Sequence, residues 1–162
     1  MTTHVTLRDL PSTSDASAHT SAARVGTRIG RTYRFESAHY LPLVPEGHKC
    51  RNLHGHNYRV EIVVRGKLDK RGFVKDFAEI DAEIMPLIKS LDHRLLNEVE
   101  GLENPTAEII ASWFFCRISQ CESVRVYEND ESWAEVAIQQ EQNVLSAGVL
   151  DAYMPQIKQV GG

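Results

Sequence analysis

His39, His48, His54 and His56, four of the seven histidines in the chain, fall in the single window 39–56. Even spreading along 162 residues would place fewer than one there. Three neutral imidazoles that converge, with one position left open for water or substrate, form the usual donor set of a catalytic zinc ion. His54-Gly55-His56 suits that chemistry, because residues two apart on a strand project from one face and Gly55 leaves the backbone between the rings unobstructed. His39 is the third donor if its strand runs beside theirs. The alternative is three histidines lining a polar pocket or sheet end without metal, although histidine is an uncommon core residue.

Cys50 stands four residues before His54. It reads either as a fourth ligand closing a structural site or as a thiol beside an open site, where a cation favours the thiolate and makes it a base or nucleophile. Spacing leaves both open, while an inert buried thiol fits poorly in a loop with His48, Lys49, Arg51 and Asn52. Cys116 and Cys121 read as packing or surface residues. Asp92-His93 is either a carboxylate orienting an imidazole for proton relay or a helix end favouring a cationic histidine. Glu128 breaks an apolar strand face at its end; it meets solvent there, or accepts paired N–H donors from a heterocycle.

Elements able to position these groups follow from periodicity. Over residues 31–39, Tyr33, Phe35, Ser37 and His39 alternate with Thr32, Arg34 and Glu36, which predicts a half-buried strand ending at His39. Over residues 54–65, His54, His56, Tyr58, Val60, Ile62 and Val64 share one face of a second strand. Paired as an antiparallel hairpin through residues 40–53, the two strands bring the three imidazoles together. Asp76 with Glu79 opens a helix carrying Phe77, Ile80, Ile84, Leu87, Ile88 and Leu91 on its apolar stripe, with Pro86 predicted to kink it. Asn104 as cap and Pro105 at the first helical position predict a second helix burying Ile109, Ile110, Trp113, Phe114 and Ile118. Val124 to Glu128, a turn at Asn129-Asp130-Glu131, and Trp133 to Ile138 predict a closing strand pair. The order is ββααββ: an α+β fold, with two helices on one face of a four-stranded antiparallel sheet.

Composition bounds the rest. Hydrophobic residues make up 42% and charged residues 25%, which excludes collagen-like, wholly disordered and disulfide-scaffold chains. A net charge of -4 is not that of a general nucleic-acid binder, so phosphate contacts must be local. No apolar run approaches the ~20 residues of a membrane span, and the N-terminus lacks the apolar core of a secretory signal. With three cysteines, an odd count, these features predict a soluble cytoplasmic protein with reduced thiols. Residues 1–30, rich in Ser, Thr and Ala, read as a flexible extension; Arg8, Arg24 and Arg28 suggest a transit peptide, against which Asp9 and Asp15 argue. One compact domain, 31–138, is expected to carry the function. Residues 139–162 form a C-terminal extension in which Leu145, Val149, Tyr153 and Ile157 recur every fourth position, suited to a short helix or to packing on a neighbouring subunit.

Phe35-Glu36-Ser37-Ala38-His39 followed by the run from His48 to Tyr58 resembles the signature of the 6-pyruvoyl-tetrahydropterin synthase superfamily. Residues 72–77 (GFVKDF), 91–93 (LDH), 101–108 (GLENPTAE) and 126–128 (VYE) agree in order and spacing. Within it, Cys-x-x-x-His-Gly-His together with GLENPTAE resembles the 6-carboxy-5,6,7,8-tetrahydropterin synthase branch of queuosine formation. That resemblance implies zinc on His39, His54 and His56, Cys50 as proton acceptor, and Asp92, His93 and Glu128 as relay and pterin-anchoring groups. It adds Thr106 and Glu108 as substrate contacts; Lys49, Arg51 or Arg34 are the basic residues available to meet a triphosphate, the alternative being that they are simply solvated. The implied reaction converts 7,8-dihydroneopterin triphosphate to 6-carboxytetrahydropterin, releasing acetaldehyde and triphosphate, with no organic cofactor. The implied fold is the tunnelling fold, in which several subunits, typically six, assemble sheets into a barrel. A 6-pyruvoyl-tetrahydropterin synthase is the alternative enzyme. A non-catalytic zinc protein closed by Cys50 is the alternative of another class.

Overall fold

Strand periodicity builds the centre of the molecule. β1 (Thr27–His39) buries Tyr33, Phe35, Ser37 and His39 on one face, and β2 (His54–Gly66) buries Tyr58, Val60, Ile62 and Val64. The two pair antiparallel throughout, with His39 opposite His54 and Thr27 opposite Gly66. β1 begins at Thr27, so residues 27–30 lie in the sheet instead of the extension, with Ile29 packed on the core. A lone Ile in a polar run shows no period, which is why the sequence places the boundary later. The computed structural model describes residues 26–139; the remainder of the N-terminal extension and the C-terminal one, including Leu145, Val149, Tyr153 and Ile157, lie outside the described residues.

α1 (Phe77–Leu91) starts where predicted, with the Asp76 carboxylate accepting the Ala78 N–H at 2.8 Å. Ile80, Ile84, Ile88 and Leu91 are buried along it. Phe77 is not; it lies 49% exposed beneath the Arg31 guanidinium. Pro86 stands inside the helix, which runs on to Leu91. β3 (Arg94–Leu95) follows at once and pairs parallel to β1 at Ser37 and Ala38.

α2 (Ala107–Phe115) is capped by Thr106, not Asn104. The Thr106 N–H bonds the Asn104 carbonyl at 2.9 Å, and this turn holds Pro105 outside the helix. Ile110, Ala111, Trp113 and Phe114 face the core, whereas Ile109 is exposed. β4 (Cys121–Tyr127) carries Cys121 buried at its start, and β5 (Trp133–Ala137) returns after a turn in which the Asn129 side chain accepts the Glu131 and Ser132 N–H groups. The sheet order is β3-β1-β2-β4-β5. The predicted four-stranded antiparallel sheet is therefore five-stranded and mixed; a two-residue strand is too short to display any period. Side chains from both helices and from the buried face of β1, β2 and β4 form one core.

Candidate metal centre

The hairpin delivers its ligands as a pair of strand ends. His39 closes β1, His54 opens β2 directly opposite, and His56 follows two residues on along the same face. One ring nitrogen from each of the three lies within 4.8 Å of the others. Ring centroids are 4.4 Å apart for His39 and His54, and 5.1 Å for each of the other pairs.

Backbone carbonyls fix the tautomers. His39 Nδ1 lies 2.9 Å from the Pro105 carbonyl oxygen, and His54 Nδ1 lies 2.8 Å from that of Asn52. A carbonyl only accepts, so each Nδ1 carries the hydrogen and each Nε2 presents a lone pair. Those two Nε2 atoms stand 3.1 Å apart. Two lone pairs this close are relieved by a metal ion or by a proton held between them, and imidazoles oriented from behind by a carbonyl are the arrangement that metal-binding histidines adopt. Burial adds to this by pushing the pKa of His39, and likewise of His56, below the ordinary histidine value, which keeps both rings neutral and able to ligate. The donor set fits zinc, whose catalytic sites take three imidazoles and leave a position open.

Cys50 is not among the converging ligand atoms. It sits partly buried at the middle of a single 3-10 turn, Lys49–Arg51, inside the hairpin connection. Glu128 lies just past β4, half-buried, and its negative charge acts on His39, His56 and Tyr58. Tyr58, fully buried beside the His56 ring, has no partner for its hydroxyl among the described residues; the sequence marks it only as a core position.

Asp92 and His93 follow α1. The Asp92 carboxylate accepts the Glu36 N–H at 2.9 Å and lies 3.1 Å from His93 Nδ1, while the His93 N–H reaches the Glu36 carbonyl at 2.6 Å. The Glu36 N–H foremost, with His93 beside it, holds the Asp92 carboxyl below the usual carboxylate range. His93 itself adopts a left-handed φ of 56°, and this double clip to β1 holds it there. Its side chain is 76% exposed and, with Glu36, Gly55, His56 and Asn57, lines an open concavity of about 610 Å³.

The remaining predicted contacts are spread out. Thr106 uses its hydroxyl to cap α2, and Glu108 is exposed in that helix's first turn. Arg51 donates to the Pro42 and Val44 carbonyls, so its guanidinium is committed to its own loop; Lys49 and Arg34 are exposed. The sequence does not reveal the roles of the Pro105 and Asn52 carbonyls, which belong to the backbone; the NP pair before a helix is the one signal, and it reads as a cap.

The chain is similar to known proteins over most of the described residues. Residues 28–139 match the family model for 6-pyruvoyl tetrahydropterin synthase. A 6-carboxy-5,6,7,8-tetrahydropterin synthase of Synechocystis is 43% identical over 57% of this chain and 74% of its own. A protein of Archaeoglobus fulgidus, provisionally named as the same enzyme, is 37% identical over 67% of this chain and 93% of its own. Among solved structures, the 6-pyruvoyl tetrahydropterin synthase of Caenorhabditis elegans superposes with a TM-score of 0.64 at 25% identity, covering 71% of this chain and 97% of that one. The family match spans residues 28–139, the hairpin that holds the three histidines included, and the chain accordingly belongs to the 6-pyruvoyl tetrahydropterin synthase family.

Proposed function

We propose that this chain is a zinc-dependent 6-carboxy-5,6,7,8-tetrahydropterin synthase, a lyase that takes 7,8-dihydroneopterin triphosphate and water to 6-carboxytetrahydropterin, acetaldehyde and triphosphate, in queuosine formation. The observation that carries this reading is the convergence of three imidazoles, two of which, His39 and His54, have their Nδ1 hydrogens taken by backbone carbonyls. The Cys-x-x-x-His-Gly-His spacing from Cys50 to His56 and the names of the two 6-carboxy relatives support the branch.

His39, His54 and His56 hold the zinc, which when bound supplies a Lewis acid that acidifies the side-chain protons of the pterin. Cys50, which lies outside the ligand set, removes a proton from that side chain as its thiolate and becomes the neutral thiol. Asp92 holds the His93 ring at Nδ1, so that Nε2 exchanges the proton. Glu128 accepts the N–H donors of the pterin ring, with Thr106 and Glu108 at its margin. A closed zinc site with Cys50 as fourth ligand fits the geometry less well, because only imidazoles converge among the described residues.

The rival reading is a 6-pyruvoyl tetrahydropterin synthase, favoured by the name of the nematode structural relative. Mass spectrometry of the products from 7,8-dihydroneopterin triphosphate, under reducing conditions with zinc present, separates the two. Acetaldehyde with 6-carboxytetrahydropterin supports the proposal; a pyruvoyl product supports the rival.

We further propose a homo-oligomer, hexameric as the tunnelling fold implies. β3 covers β1 only at Ser37 and Ala38, and β5 is the outermost strand on the other side, so both sheet edges are open to another copy. Light scattering after size exclusion measures the copy number. Among the described residues no helix is long and apolar enough to cross a membrane.

A further inference from the structure

The thiol assigned as the base rides on an unusually small support. Lys49–Arg51 is one 3-10 turn of three residues, too short to persist on its own propensity. Its ties are therefore what place Cys50. The exposed ring of His48 accepts the Cys50 N–H at its Nδ1, 3.1 Å away, and the Cys50 carbonyl accepts the Leu41 N–H at 2.8 Å. Arg51 fastens the far side of the loop to the Pro42 and Val44 carbonyls, at 3.2 and 2.9 Å. At the other end of the turn, Asn52 donates its N–H to the Lys49 carbonyl and offers its own carbonyl to His54 Nδ1. One three-residue turn thus sets the position of Cys50 and the ring orientation of a metal ligand, and among the described residues a side chain fixes it only at His48 and Arg51.

We propose that His48 is the positioning residue for Cys50: its imidazole caps the turn, and it acts through that hydrogen bond without touching substrate. This rests on the reading of Cys50 as the base. The chemistry required of position 48 is an acceptor at the first cap position, a task that asparagine also performs and alanine does not.

The test compares H48A, H48N and C50A in the full chain with zinc bound, measuring amide exchange at Cys50, kcat, KM and Tm. In H48A, amide exchange at Cys50 accelerates by about tenfold or more and kcat falls by about tenfold, with KM within about twofold and Tm little changed, as expected when a reacting group is loosened at an exposed site. H48N restores both exchange and kcat. Wild-type exchange or wild-type kcat in H48A overturns the proposal, as does failure of H48N to restore them. C50A addresses the underlying reading separately: loss of turnover supports Cys50 as the base, and retained turnover overturns that assignment and the positioning role with it. Amide exchange needs no substrate, so it reads the brace even where catalysis does not follow the proposed course.

Discussion

His39 Nε2 and His54 Nε2 face each other at 3.1 Å, while a backbone carbonyl holds each ring from behind. Neither ring can turn its Nδ1 hydrogen inward without giving up that carbonyl. The neutral apoprotein is left with two opposed lone pairs in a buried place, and a bound cation or a captured proton relieves them.

The purified chain should therefore carry about one zinc per polypeptide, lost on replacing His54 by Ala. Chelation should lower Tm, and restoring zinc to a thousandfold excess over its Kd should return about 4 kcal/mol of stability. Metal analysis beside calorimetry measures both; a Tm indifferent to chelator would speak against the site.

Acid should weaken the metal-free fold in a definite direction. Burial lowers the pKa of His39 and of His56 in the folded state, below the unfolded value near 6.5. The unfolded chain then binds more protons between those values, so stability falls as pH drops through about 6.5 and levels off once the folded rings also protonate. Zinc retention should fail over the same window, because protons and metal compete for Nε2. Tm measured from pH 8 to 5, with and without zinc, reads this slope.

Gly55 is constrained by its neighbour across the sheet. A Cβ there would stand 3.0 Å from the Ser37 carbonyl oxygen, which is backbone and cannot swing aside. G55A should cost about 1–3 kcal/mol and weaken zinc binding by pushing apart the strands that carry its ligands. Chemical denaturation and a zinc competition titration check the two effects.

The Asp92 carboxylate has two tasks, accepting from the Glu36 N–H and steadying His93. D92A removes both, and kcat should fall by about 10² to 10⁴-fold, the range of a lost proton-transfer group. D92N keeps an acceptor for the backbone and should fold like wild type while losing most activity. Activity in D92N equal to wild type would show the charge to be dispensable.

Much of this site is legible in the residue pattern of its two strands. The period-two run ending at His39 and the one beginning at His54 bury the same face, so a hairpin alone brings the rings together, and the structure pairs those very residues. Side-chain patterning carries no information about backbone carbonyls, so the hydrogen bonds from His39 to Pro105 and from His54 to Asn52 could not be foreseen. Arg94–Leu95 carries no strand signal in the sequence, because two residues have no period. Asn104 resembled a cap because its chemistry suits one, but the carbonyl of Pro105 is taken by His39 and the helix begins two residues on from the predicted position. Ile109 lies on the exposed side, one residue off the face that Ile110, Trp113 and Phe114 bury.

The pairing of β1 with β2 has one last consequence, for how the chain folds. Slipping the hairpin by a single residue would invert the facing of every side chain on β2 and turn His54 and His56 away from His39. The native alignment offers three nitrogens to one ion, and a one-residue slip does not. An ion held by all three would therefore add its binding energy to the native register and to none of its single-residue slips.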